Sequence, residues 1–409
     1  MKRPATTKRL SHRLKSAWYS QPGIDAVVDQ WLHAGEANAP VKRWLREQML
    51  FRLLPERRLR ETPFTARASD RTGRARVLSL VPPEDTGGGS RPAQIAAELH
   101  RRGFEIEWLW ALPVFPWPRR SQPQISGVDA HHIDSPPAFR QAAPADVVLL
   151  EAPHPRLYEL ARSGAGDGPL IYDAIDVWDG SLGTGWYDRA VEERVLREAD
   201  HLVASAKLLR DELSARSGRD VALLPNAIDL GRFGRSEVSS EKLERGDPTV
   251  AYVGALWGEW VDLDLIEHLA KRCPAATIHL IGPQGDQTMP RAANIRTHGP
   301  RERHVVPGLL RSADVAIVPF APSRLSAAVS PLKVFEYLAM ERPVVSTRLP
   351  DLEGVPGVTI ADDADGFAEA VQRVAREPFP RDLVRSFLAD HTWERRADQL
   401  LELTRSVRG

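Results

Sequence analysis

One cysteine, Cys273, is present in 409 residues, which excludes an intramolecular disulfide framework and any cysteine-rich zinc site. No apolar run approaches the roughly 18–20 residues of a membrane-spanning helix. The N-terminal MKRPATTKRLSHRLKSAWYS is basic but lacks the apolar stretch of a secretory signal, so the expected location is cytoplasmic. None of the 12 histidines stands in an H-x-x-x-H or H-E-x-x-H spacing, which argues against a zinc hydrolase. Net charge is also missing, since 55 Lys and Arg balance 55 Asp and Glu. That balance hides an asymmetry: 17 of the basic residues but only 7 of the acidic ones fall within 1–76. The remainder is acidic, so nucleic acid is not an expected partner.

What is present is globular composition, 42% apolar and 27% charged, in a chain long enough for two domains and an appendage. Residues 1–73 read as a basic helical extension, with helical patterns around Ile24–His33 and Val41–Leu54. The extension either packs on the body through Trp44, Phe51 and Leu54 or meets an anionic membrane surface. From Ala75 short apolar runs alternate with helical patterns. Strands are expected at Arg76–Val81, Phe104–Trp110, Asp146–Leu150, Leu170–Tyr172, His201–Ala204 and Val221–Leu224. Helices are expected over about Pro92–Arg102, Tyr187–Ala199 and Lys207–Arg216. A polar stretch, Gly234–Pro248, interrupts the pattern. It restarts with strands at Thr249–Val253, Thr277–Ile281, Ile295–Thr297, Val315–Pro319, Val344–Ser346 and Val358–Ile360, and a helix over Val261–Arg272. This alternation predicts an α/β protein of two tandem Rossmann-like, doubly wound parallel sheets. The expected domains are 74–240 and 241–380, with a C-terminal helix, about 381–407, returning to the first.

Chemistry concentrates in Val315–Pro350. Ser330-Pro331 before Leu-Lys-Val-Phe-Glu-Tyr-Leu-Ala reads as a helix start, with serine as N-cap and proline at the first helical position. The helix follows a strand, so its N-terminus faces the carboxyl edge of the sheet, where such sheets bind ligands and where free N–H groups suit a pyrophosphate. Lys333 adds a point charge. Glu336, three residues on, is placed to accept ribose hydroxyls. In the first domain, Asp173 and Asp176 end a strand at the corresponding edge, as do Glu151 and His154. An Asp after a strand is also an ordinary N-cap or turn former. Asp262-Leu-Asp264 has the form of a metal-binding D-x-D, but at a helix start it reads as a cap. Trp257 and Trp260 either line the cleft or fill the core.

The stretch Pro331-Leu-Lys-Val-Phe-Glu-Tyr-Leu-Ala339 resembles the donor-binding motif of the GT-B glycosyltransferases of group 1, family 4-like. The order of other segments is similar too: Gly87-Gly88-Gly89 before a helix, Leu224-Pro-Asn-Ala-Ile-Asp229 with Phe233, Tyr252-Val-Gly254, and His391-Thr-Trp-Glu-Arg-Arg-Ala397. The resemblance implies transfer of a sugar from a UDP-, GDP- or other nucleoside diphosphate sugar to a glycan, cell-envelope or lipid-linked hydroxyl acceptor. No further cofactor and no metal are implied. It assigns Glu336, Lys333, Ser330, Arg324, Gly254 and Gly299 to the donor, and Gly88, Gly89, Glu151 and His154 to the acceptor side. Asp173 and Asp176 become the catalytic candidates. The sequence departs from the family pattern at Ala328, where a first motif glutamate is usual, and after Gly254, where a phosphate-binding arginine is absent. Arg324 and Lys333 are expected to replace the missing cations. Those departures leave a non-catalytic subunit as an alternative, and a nucleotide-sugar epimerase of the same fold as another. A lipid-linked acceptor would put the protein at the inner face of the membrane, touching it through 1–73.

Overall fold

The computed structural model describes residues 73–83, 90–111, 128–133, 144–163, 167–233, 241–256, 260–284 and 288–405. The basic extension up to residue 72, the triplet Gly87-Gly88-Gly89, the first part of the linker, 234–240, and Trp257 lie outside them.

The first sheet has seven parallel strands: β1 (Gly73–Ser79), β2 (Phe104–Trp110), β3 (Val128–His132), β4 (Val147–Leu150), β5 (Leu170–Ala174), β6 (His201–Ala204) and β7 (Val221–Leu223). Their spatial order is β3-β2-β1-β4-β5-β6-β7, reversing beside β1 as a doubly wound sheet does. Both faces are covered. Leu78, Leu150, Tyr172 and Leu202 bury on one side, and Val77, Leu149, Ile171 and Val203 on the other. That period of two inside continuous apolar runs is what a strand buried on both faces requires.

The second sheet has six parallel strands: β8 (Thr249–Val253), β9 (Thr277–Ile281), β10 (Ile295–Gly299), β11 (Val315–Val318), β12 (Val344–Thr347) and β13 (Val358–Ala361). Its order, β10-β9-β8-β11-β12-β13, repeats the same winding. The helix Leu263–Arg272 begins at Asp262, whose carboxylate accepts the Leu265 N–H, so this D-x-D is a helix cap. Asp363 caps Ala364–Val374 in the same way.

The chain crosses between the domains twice, and the crossings run side by side. Ile228 N–H donates to the His391 carbonyl, and Trp393 N–H donates back to the Ile228 carbonyl. The closing segment is two helices rather than one. Val384 and Leu388 of Arg381–Ala389 pack in the second core, and Trp393 and Leu400 of Trp393–Arg405 pack in the first. Two elements carried no clear sequence signal. β3 is the half-exposed edge segment VDAHH, and Pro155–Ser163 is a short helix with only Leu157, Tyr158 and Ala161 buried.

Candidate functional site

The second sheet ends in a floor without side chains. Gly254, at φ 153°, follows β8, and Gly282, at φ 148°, follows β9. Gly299, at φ 64°, ends β10. The Gly254 N–H donates to the Ile281 carbonyl and the Gly282 N–H to the Gly299 carbonyl. A Cβ on Gly282 would lie 1.9 Å from the Gly254 carbonyl oxygen, so glycine is required there for backbone approach. Against this floor lies Lys333, from the first turn of the helix Leu332–Ala339. A Cβ on Gly254 would lie 2.6 Å from Lys333 Nζ, so this glycine makes room for the ammonium.

Lys333 Nζ donates to the Tyr252 hydroxyl at 2.9 Å and stands 4.4 Å and 4.6 Å from the ring centroids of Tyr252 and Phe320. Burial pushes this amine down from its usual range to about 7, with Glu336 opposing. The Tyr252 hydroxyl donates onward to the Ala255 carbonyl, which fixes the ring, and Trp260 packs edge-on to Phe320. Glu336, one turn along on the same face, accepts from Arg303 Nη2 at 2.6 Å. Arg303 follows β10, so the pair spans the side of the cradle toward Gly299. Its Nε is buried without a hydrogen-bond partner among the described residues.

Two expected donor residues are engaged elsewhere. Ser330 is not an N-cap: its hydroxyl accepts the Asn226 N–H at 3.1 Å and its carbonyl accepts Asn226 Nδ2 at 2.6 Å. The helix starts at Leu332 with Pro331 before it, so the serine sits one position too early to cap and instead ties the start of this helix to the first crossing at Asn226. Arg324 reaches the first domain, donating to Asp179 at 2.6 Å and to both oxygens of Glu212 at 2.9 and 2.6 Å. Its guanidinium is committed to an interdomain clasp rather than aimed at the glycine floor. Ala328, four residues on, is buried in the apolar cluster of the first domain, where a carboxylate would be an uncompensated charge.

On the first sheet, β4 lies between β1 and β5, so their carboxyl ends bring Ser79, Glu151 and Asp173 together. Asp173 is held by Arg91, whose Nε and Nη2 donate to its carboxylate at 2.8–3.1 Å, with both groups buried. The guanidinium fork occupies both carboxylate oxygens, so Asp173 is a structural anchor. Glu151 accepts from the Ser79 hydroxyl. Burial pushes its carboxyl up to about 7, the Ser79 bond pulling it back and Asp173 adding to the rise. Asp176, in the turn after β5, is likewise pushed up to about 7 by burial and then by Glu151. His154 is spent locally: Nδ1 accepts the Arg156 N–H at 3.2 Å and the ring stacks on Trp186 at 5.8 Å. Among the described residues no group of three or more His, Cys, Asp or Glu could hold a metal ion, and no helix is long and apolar enough to cross a membrane.

Sequence reading missed Arg91, Tyr252, Gly282 and Arg303. Arg91 opens the helix after the glycine triplet, and Gly282 ends a strand as Gly254 does; those placements were the available signals. Two tandem parallel sheets with the chain crossing back between them define the GT-B fold. The chain superposes on sucrose-phosphate synthase of Thermosynechococcus elongatus with a TM-score of 0.62 at 14% identity, covering 82% of this chain and 99% of that one. It superposes on Anabaena HepE, solved with UDP and glucose, with a TM-score of 0.60 at 13% identity, over 82% and 100% of the two chains. Residues 247–377, which hold the glycine floor, Lys333 and Glu336, match the family described as Glycosyl transferases group 1. The putative teichuronic acid biosynthesis glycosyltransferase TuaH of Bacillus subtilis is 28% identical over 202 residues, 44% of this chain and 51% of the relative. The match therefore spans about half the length of that relative.

Proposed function

We propose that this chain is a glycosyltransferase that moves a sugar from a uridine diphosphate sugar to a hydroxyl of a glycan or lipid-linked acceptor. The observation that carries the reading is the cradle in which Lys333 and Glu336 share one helical face above the glycine floor. A diphosphate would lie against the Lys333 ammonium and the free N–H groups of the helix start, with the ribose hydroxyls on Glu336. TuaH, named for teichuronic acid biosynthesis, supports a cell-envelope glycan as acceptor class, and HepE, solved with UDP and glucose, supports uridine. An acceptor carried on lipid would bring the reaction to a membrane surface, and residues 1–73 have the charge to meet an anionic one. Calorimetry of UDP and GDP binding tests the donor site. Glu336→Ala is expected to weaken UDP binding at least tenfold, since ribose would lose the acceptor of its hydroxyls, and to keep a cooperative melt at a somewhat lower temperature because Arg303 loses its partner. Equal affinity in the variant overturns the assignment.

The buried Ala328 and the engaged Arg324 favour a second reading, a nucleotide-binding subunit without turnover. UDP-sugar cleavage by the purified protein rejects it. Interconversion of free UDP-sugars without transfer identifies an epimerase instead.

A further inference from the structure

Lysine and glutamate three residues apart on a helix are neighbours that ordinarily pair with each other. Lys333 and Glu336 do not. Lys333 Nζ turns to the Tyr252 hydroxyl, and the Glu336 carboxylate turns to Arg303, whose Nη2 donates to Oε1 at 2.6 Å. Glu336 is only 7% exposed, and this is the one hydrogen bond its carboxylate makes among the described residues.

The grip is end-on. Arg91 sets Nε and Nη2 together on Asp173 and fills both of its oxygens. Arg303 uses Nη2 alone, so its Nε is orphaned and Glu336 Oε2 accepts nothing among the described residues. A side-on fork would satisfy both atoms; the end-on contact keeps one carboxylate oxygen open. The main chain under Arg303 is anchored. The Val305 N–H closes a turn on the Glu302 carbonyl, and Val305 and Val306 bury in the second core. Arg232, on the short helix Leu230–Phe233, lies close enough to be drawn to Glu336 and repelled by Arg303. Its side chain makes no hydrogen bond or ion pair among the described residues.

We propose that Arg303 is a positioning residue that makes the donor site select ribonucleotides over 2′-deoxyribonucleotides, by holding Glu336 off Lys333 with Oε2 open to a ribose hydroxyl. The proposal rests on the transferase reading above and on the ribose seat assigned there to Glu336. Oε2 takes one hydroxyl of the ribose, and the second lone pair of Oε1, beside the Arg303 bond, takes the other. A 2′-deoxyribose leaves one of these desolvated acceptors unfilled, which is costly at a buried carboxylate. Without Arg303 the carboxylate is free to swing to Lys333, one turn back on the same face. The ribose then loses an oriented acceptor, and the diphosphate must displace a carboxylate to reach the ammonium. The donor class follows from this geometry: sugars carried on uridine diphosphate are accepted, and sugars carried on thymidine diphosphate, a 2′-deoxyribonucleotide, are discriminated against.

Calorimetry of UDP and 2′-deoxy-UDP at a fixed pH of about 6.5, with Lys333 charged, tests this in four proteins: wild type, Arg303→Met, Glu336→Gln and the double variant. The wild type is expected to bind 2′-deoxy-UDP at least tenfold more weakly than UDP. Arg303→Met is expected to bind UDP at least tenfold more weakly than the wild type, and to prefer it over 2′-deoxy-UDP by no more than about threefold. Arg232 remains nearby as a counter-charge, so the variant should still melt cooperatively. A loss that weakens both nucleotides alike and keeps the wild-type preference would be merely structural, and it overturns the proposal. The double variant should bind UDP within about threefold of Glu336→Gln, because Arg303 acts through that carboxylate. A further tenfold loss would put Arg303 in contact with the nucleotide itself and overturn the positioning role. Equal binding of the two nucleotides by the wild type overturns the selectivity without recourse to any variant. A wild type that binds neither nucleotide defeats the donor-site reading instead.

Discussion

Lys333 makes donor binding dependent on pH in a direction that can be worked out. The amine is held between two aromatic rings and the Tyr252 hydroxyl, and burial lowers it to about 7. Below that pH it is an ammonium and attracts a diphosphate; above it the empty site presents a neutral amine. Each pH unit above 7 then costs the bound state about 1.4 kcal/mol, the free energy of reprotonating one group, or tenfold in affinity. UDP-glucose is the proper probe, because each of its phosphates has a single ionisable oxygen and stays singly charged throughout the range. Its dissociation constant, measured by calorimetry from pH 6 to 9, is expected to be flat below 7 and to rise about 100-fold by pH 9. The rise stops only where the bound lysine itself deprotonates. Binding should also take up protons above pH 7, visible as a heat that changes with the ionisation enthalpy of the buffer. Lys333→Met is expected to bind weakly with no slope. A flat wild-type profile, or the same slope in the methionine variant, refutes the placement of the diphosphate on Lys333.

The parallel winding was legible because strands buried on both faces leave unbroken apolar runs, as in Val147–Leu150 and Val315–Val318. β3 was not, because an edge strand needs no such run and VDAHH offers none. Lys333 and Glu336 were legible because i and i+3 share a helical face. What sequence could not decide was how two similar residues divide their work. Asp173 and Asp176 look alike along the chain, and only Arg91, 82 residues upstream of Asp173, separates the gripped carboxylate from the unpartnered one. Ser330 misled for a related reason: serine before proline suits a helix cap, but its oxygen accepts one N–H as well from Asn226 as from its own helix. Arg324 likewise reads as a spare cation until the fold brings Glu212 and Asp179 beside it.

Gly282→Ala is expected to destabilise the second domain by about 3 kcal/mol or more, combining backbone strain at φ 148° with a Cβ driven into the Gly254 carbonyl. Gly299→Ala, where a Cβ meets nothing within 4 Å, should cost only the backbone term of about 1–2 kcal/mol; equal urea midpoints for the two would refute the close-packed floor. Arg324→Ala separates the clasp from the pyrophosphate role. The Arg324 side chain is 47% exposed and its two partners are 40% and 28% exposed, so losing the pairs should cost no more than about 1 kcal/mol. UDP-glucose affinity should stay within about threefold of wild type, because the guanidinium already has three hydrogen bonds to carboxylates that a diphosphate would have to displace. Each of those bonds is charge-assisted, and a donor pulling Arg324 away would leave Asp179 and Glu212 facing each other without a counter-charge. A tenfold or greater loss of affinity on calorimetry would show that the donor does pull it away, and would return Arg324 to the pyrophosphate site.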